Sequence, residues 1–148
     1  MTVLRDDPYP GQNFLIDLGD GATDGPHAGF QEVSGLESTI DVIEYRSGND
    51  KDGSPQKITG LAKAADITLK RGIIGSLGLY QWFDAVRNGE PALRTVTITL
   101  LNEAREPVLT WKLFRARPVK IAFGPLNAKG TDVAMEELTL AYERLEME

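Results

Sequence analysis

The chain has 148 residues, a formal net charge of −6 at pH 7, one histidine and no cysteine. That length fits one domain, residues 1–148, with room for a substantial core. The missing cysteine excludes disulfides and thiol chemistry and fits assembly in a reducing cytoplasm, while the acidic balance argues against a nucleic-acid binder, which needs clustered Lys and Arg.

No apolar run approaches the roughly 18 residues of a membrane span. The opening residues, MTVLRDDPYPGQ, lack the charged-then-apolar pattern of a secretion signal. The first predicted strand is NFLIDL, residues 13–18. It enters DLGDGATDG, residues 17–25, whose three aspartates serve turns. His27 follows in DGPHAGF and is read as a solvated loop residue. GFQEVSGLESTIDVIEY, residues 29–45, reads as two strands joined at Ser34 and Gly35. The next segment, RSGNDKDGSPQ (46–56), is polar and has no apolar period, so it is expected to be a long exposed loop. Within it, Asp50, Asp52 and Gly53 imitate the third, fifth and sixth positions of an EF-hand. Gly48 and Thr59 stand where the outer ligands belong, so no dedicated metal site is expected.

DITLK (66–70) points Ile67 and Leu69 inward and leads into LKRGIIGSLGLYQWFDAVRNG (69–89). Glycines at 72, 75 and 78 give GxxGxxG, which matches neither the dinucleotide fingerprint nor the P-loop, and no cofactor is expected. The stretch reads instead as a corner and a packed helix. Gly72 turns the chain, Ser76 supplies an N-cap, and Leu79, Trp82, Phe83 and Val86 form an apolar stripe. Asn88-Gly89 ends the helix.

Alternation dominates the rest. RTVTITL (94–100) sets Val96, Ile98 and Leu100 against three threonines. NEAREP is a hairpin turn, and PVLTWKL (107–113) alternates Leu109, Trp111 and Leu113 with polar or smaller neighbours. RPVKIAF (117–123) is expected to bury Val119, Ile121 and Phe123. EELTLAYERL (136–145) has a two-residue period in Leu138, Leu140 and Tyr142, which favours a strand over a helix. About eight strands and one helix define a mainly β chain, an antiparallel β-sandwich or barrel with a flanking helix.

Two charge clusters accompany these strands. Lys112, Arg115, Arg117 and Lys120 make a basic edge, and Glu136, Glu137, Glu143 and Glu146 an acidic one. Solvated faces account for such clusters, but oppositely charged edges also suit head-to-tail contacts that close into rings. No nucleophile, base or metal set converges, so the chain is not expected to be an enzyme.

The segments GFQEVSGLE, IEYRSGND with KITGL, ITLKRGIIGSLGLYQWFDAVRNG, REPVLTWKL and GPLNAKGTDVAMEELTLAYERLE together resemble tail tube proteins of contractile phages. They are equally similar to inner-tube proteins of phage-tail-like injection particles. The resemblance runs from about Phe14 to Glu146. It implies hexameric rings stacked into a hollow tube inside a contractile sheath. The implied partners are copies of the chain itself, the sheath protein, baseplate and terminator proteins, and DNA or protein cargo passing without tight binding. It also implies a component of a phage tail or of a released tail-like particle. The loop 46–56 is assigned to ring stacking, with Tyr45 and Arg46 opening an arm and Asn49, Asp50, Lys51 and Asp52 making polar contacts. Related alternatives are a tube-initiating baseplate subunit and a secreted hexamer like that of type VI secretion. A small-ligand β-barrel is the alternative from another class.

Overall fold

The computed structural model describes residues 2–19, 29–49, 51 and 53–148. His27, Asp50 and Asp52 lie outside the described residues. In chain order the elements are β1 (Phe14–Asp17), β2 (Glu32–Ser34), β3 (Ser38–Tyr45), β4 (Gln56–Ala64), β5 (Ile67–Gly72), α1 (Gly78–Arg87), β6 (Arg94–Leu101), β7 (Pro107–Phe123), β8 (Met135–Ala141) and β9 (Arg144–Met147). Seven strands join in the order β1-β6-β7-β8-β5-β2, with β9 also paired to β7, and β3 and β4 form a separate two-stranded sheet. Every pairing is antiparallel, as the alternating sequence requires.

The fold turns on β7. Its first half pairs with β6 and β9, and from Arg117 onward it pairs with β8. The crossing falls at Arg115, a non-glycine residue at φ 54°. Register shifts flank it, between Arg94 and Val96 in β6 and between Pro118 and Lys120 in β7. Strands that change layers do so at such irregularities. One strand thus belongs to two layers. The first layer contributes Ile16, Val96, Ile98 and Leu113 to the core, and the second contributes Ile67, Leu69, Leu138 and Leu140. Burying each of these side chains is worth about 1.5–3 kcal/mol.

The helix packs on β7 and buries Leu79 and Trp82, with Phe83 and Val86 partly covered. The Trp82 indole N–H donates to the Ala92 carbonyl at 2.7 Å, and the Arg94 guanidinium lies 4.6 Å over the ring. Asn88 caps the C-terminus and Gly89 follows at φ 86°. Ser76 lies one residue before the N-cap, Leu77, and its Oγ accepts from the Gly78 N–H at 3.3 Å. The N-terminal residues lie against β7, where the Val3 N–H donates to the Val108 carbonyl at 2.9 Å. Arg5 clasps Glu103 through two hydrogen bonds of 2.8 and 2.9 Å, and these, with a backbone hydrogen bond, hold the Glu103 carboxyl down at about 2.

Three expectations need correction. First, Gln56–Ala64 is a strand, not the end of a loop and an unassigned stretch. Nearly all its residues are exposed and Gly60 interrupts it, so it carries no burial period. Second, 107–113 and 117–123 are one strand of 17 residues. The shift after Pro118 sets Pro118 and Ile121 on the inward face, opposite Leu140 and Leu138, and leaves Val119 47% exposed. Phe123 keeps the inward face opposite Glu136 but ends the strand and is 56% exposed. Third, Glu136 is not on an exposed edge. It opposes Arg71 across β5 and β8, and the Arg71 Nε donates to its Oε1 at 2.5 Å with both side chains nearly fully buried. The Phe30 ring lies 5.5 Å from the guanidinium.

A buried ion pair is costly to break from one side, because the remaining charge loses its counterion in a low dielectric. Arg71→Met is therefore expected to destabilise the chain by about 3–5 kcal/mol in urea unfolding. The double replacement Arg71→Met with Glu136→Leu should recover most of that loss. A double variant no more stable than the single would contradict the pairing account.

Candidate functional site

The β3–β4 ribbon is an extension of the hairpin that begins with β2 and β5. Ser34 opposes Thr68 and Ser38 opposes Ala64, so the same register continues four residues further along each strand. The break between the two segments is set by Gly35, at φ 90°, where a Cβ would sit 2.4 Å from the Asp66 carbonyl oxygen. No side chain fits there, and the left-handed φ itself favours glycine. Beyond the break, the Ala65 N–H donates to the Glu37 carbonyl at 3.4 Å, and the Tyr142 hydroxyl donates to the same oxygen at 3.3 Å. The first bond closes the ribbon's base, and the second ties that base to the body.

Past its base the ribbon has no second layer. Every residue of β3 is exposed, and so is all of β4 except Gly60 and Ala64. Yet its composition is that of a half-buried sheet, with Ile40, Val42, Ile43, Tyr45, Ile58 and Leu61 between 48% and 76% exposed. Ile43 stands directly across from Ile58, a pair that normally buries its methyl groups against a facing layer. A register shift between Ile40 and Val42 lies opposite Gly60, whose missing Cβ would approach the Asp41 carbonyl oxygen at 3.0 Å. The Lys63 ammonium meets the Asp41 carboxylate at 2.8 Å across the strands.

Residues 46–49, 51 and 53–55 lie at the tip. Tyr45 is the last residue of β3 and half exposed, Arg46 follows it, and Asn49 and Lys51 lie in the turn. The Ser47 hydroxyl donates to the Asn49 side-chain oxygen at 2.6 Å. The ring-stacking residues expected from sequence thus share one ribbon tip as far as they are described, but the ribbon that carries them starts at Ser38. Sequence reading missed its apolar residues. The available signal was a pair of β-branched runs, STIDVIEY and QKITGL, around a Gly- and Asp-rich turn, which is a hairpin pattern.

The charged edges are largely satisfied within the chain, because β7 lies beside both β8 and β9. Lys112 meets Glu148 at 2.9 Å, Arg115 and Arg117 meet Glu143 at 2.9 and 3.4 Å, and Arg144 meets Glu146 at 2.8 Å. Lys112 holds the Glu148 carboxyl below its ordinary range. Glu137 shares Lys70 with Glu32, both at 3.4 Å. Lys120 is exposed and, among the described residues, forms no ion pair.

A family model described as T4-like virus tail tube protein gp19 matches residues 10–146. No curated protein matches the chain. Among solved structures, the chain is similar to one in an extracellular contractile injection system, the PVC sheath-tube complex in the extended state. Identity there is 31% over 95% of this chain and 91% of that one, with a TM-score of 0.82. It is also similar to a chain of the anti-feeding prophage baseplate, six-fold symmetrised, at 29% identity over 97% of each chain and a TM-score of 0.84. Hcp1 from Flavobacterium johnsoniae shares the fold, at 12% identity over 90% of this chain and 93% of that one and a TM-score of 0.55.

The direction in which the ribbon leaves the body depends on Gly35. Gly35→Ala is expected to cost about 1–3 kcal/mol in unfolding free energy, since it forces a strained φ and a backbone clash. It should also speed amide exchange at the ribbon base. Gly48→Ala, where a Cβ meets nothing within 4 Å, serves as the neutral control. Equal effects at the two glycines would remove the special role given to Gly35.

Proposed function

The chain belongs to the T4-like virus tail tube protein family, and from that premise we infer that it is the inner-tube subunit of a contractile tail or tail-like injection particle. In this reading 1–148 is one tube domain that closes into six-membered rings, and the rings stack around a lumen. Its role is structural rather than enzymatic. Its partners are copies of itself, a surrounding sheath protein, baseplate and terminator proteins, and DNA or protein cargo that passes through without tight binding. The similarity to chains of a sheath-tube complex and of a baseplate supports these partners. Subunits assemble in the bacterial cytoplasm and end in a phage tail or a released particle.

The observation that carries this reading is the bare ribbon. A two-stranded sheet is marginal in water by itself, and exposed apolar surface on this scale marks an interaction site. A second copy supplies the missing layer, and identical copies joined through two different surfaces generate rings or stacks. The tip residues Tyr45, Arg46, Asn49, Asp50, Lys51 and Asp52 reach the next ring in this account. Lys112, Arg115, Arg117, Glu137, Glu143 and Glu146 contribute to ring contacts by exchanging partners within the chain for partners across the interface. Lys120 brings a charge that needs no such exchange, whereas Glu136 stays in the core against Arg71.

The likeness to a baseplate chain favours one second reading, a subunit that initiates the tube. Both readings share the fold and differ in whether the purified chain elongates by itself.

Ile43→Ser combined with Ile58→Ser tests the main reading. Both positions are exposed, so the isolated chain should keep its stability to within about 1 kcal/mol. Native mass spectrometry should still find hexamers, whereas negative-stain microscopy should find no long tubes. Regular tubes from the double variant would assign the ribbon another task, and a wild-type chain that stays monomeric at high concentration would contradict ring formation.

A further inference from the structure

The end of the body opposite the ribbon carries a second apolar surface. The ribbon joins β5 at Ile67, whereas β5 finishes at Gly72, facing Met135 at the start of β8. Phe123 ends β7 at the same level, opposite Glu136. The Ile73 N–H donates to the Ala134 carbonyl at 2.9 Å, and the Gly124 N–H donates to the Met135 carbonyl at 2.8 Å. Val133 lies 3.6 Å from where a Cβ on Gly72 would be. The corner after β5 and the loop between β7 and β8 therefore meet at one end of the molecule. Six large apolar side chains are exposed there: Ile73, Ile74, Leu77, Phe123, Leu126 and Val133, at 39–82%.

We propose that this corner is the receptor for the ribbon of a second copy of the chain, placed head to tail along β5. The inference rests on the tube reading and names the surface that reading leaves open. Composition supports the match: Ile43, Tyr45 and Ile58 share one face of the ribbon, and the corner offers exposed side chains of the same apolar kind, as the core of a specific interface requires. Geometry excludes the alternative of self-packing. The six residues of β5 hold the two surfaces roughly 20 Å apart at about 3.3 Å per residue, so a ribbon leaving one end does not cover the other end of its own body. A copy displaced along β5 brings them together, and the same displacement repeats without end. In the tube this contact lies between rings, where a head-to-tail displacement that does not close repeats as a stack. The GIIGSLGLY corner, with the glycine spacing of a phosphate loop and no cofactor motif, acquires its use here. Gly75 at φ 85° turns the chain so that Ile73, Ile74 and Leu77 face outward.

The absence of cysteine makes a crosslinking test clean. A chain carrying both Leu61→Cys and Leu77→Cys, at positions 76% and 63% exposed, is assembled and treated with a short bismaleimide. Tubes should yield a denaturing-gel ladder of trimers, tetramers and longer covalent chains, and either single variant should yield none beyond dimer. Isolated rings at low concentration should lose the ladder. Tubes that give no ladder, or a ladder that persists in isolated rings, would overturn this inference alone. Failure of the unmodified chain to form rings or tubes would overturn the tube reading and this inference with it. A second variant, Leu77→Glu, should keep hexamers and abolish elongation, and long tubes from it would also contradict the receptor assignment.

Discussion

A two-stranded sheet cannot bury a face against itself. The β3–β4 ribbon meets that constraint with isoleucines and valines on strands that the rest of the chain leaves uncovered. The body already has a closed core without the ribbon, so the ribbon's apolar side chains add nothing to the stability of the isolated molecule. They acquire value only when another surface covers them. In the proposed reading the chain is a complete fold joined to half of an interface, and membership in a tail tube protein family points to a second copy as the other half.

The body explains how the half-interface is held in place. Because β7 serves both layers, the hairpin carrying the ribbon is anchored through β5 and β8 to the same strand that pairs with β6 and β9. Ile67 and Leu69 bury the ribbon-proximal part of β5, and Arg71 with Glu136 locks the distal part into register. A one-residue slip of β5 on β8 would turn all of these to the other face, and the buried charge pair makes that slip especially unfavourable. Ribbon base and corner are thus fixed relative to each other by one short, rigid strand. A repeating assembly needs that rigidity, since errors in the repeat accumulate along its length.

The sequence disclosed the body far better than the arm. Val96, Ile98, Leu138 and Leu140 alternate because one face of each strand is buried, and that burial is what a two-residue period records. The helix was equally legible from Leu79, Trp82 and the Asn88-Gly89 stop. Where burial does not follow the period, the pattern fails. β4 hides because both of its faces are exposed in a single chain. The bulge after Pro118 turns Val119 out, and Phe123, though on the expected face, stands exposed at the strand end. Glu136 looked like one more acid in an acidic segment, and only the cross-strand position of Arg71 turns it inward. The charged edges illustrate the same limit. Sequence separates 112–120 from 136–148, but the sheet lays them side by side, so they pair within the chain.

Hydrogen–deuterium exchange on the ribbon, compared between isolated subunits and assembled tubes, tests the central claim most directly. Amides of 38–45 and 56–64 should exchange fast in the isolated chain, close to the rate of local opening, and slow by orders of magnitude in tubes, together with those of 72–77. Core amides of β6 and β8 should change little. Ribbon amides equally protected in both states, or equally open in both, would show that the ribbon is not the element that assembly completes.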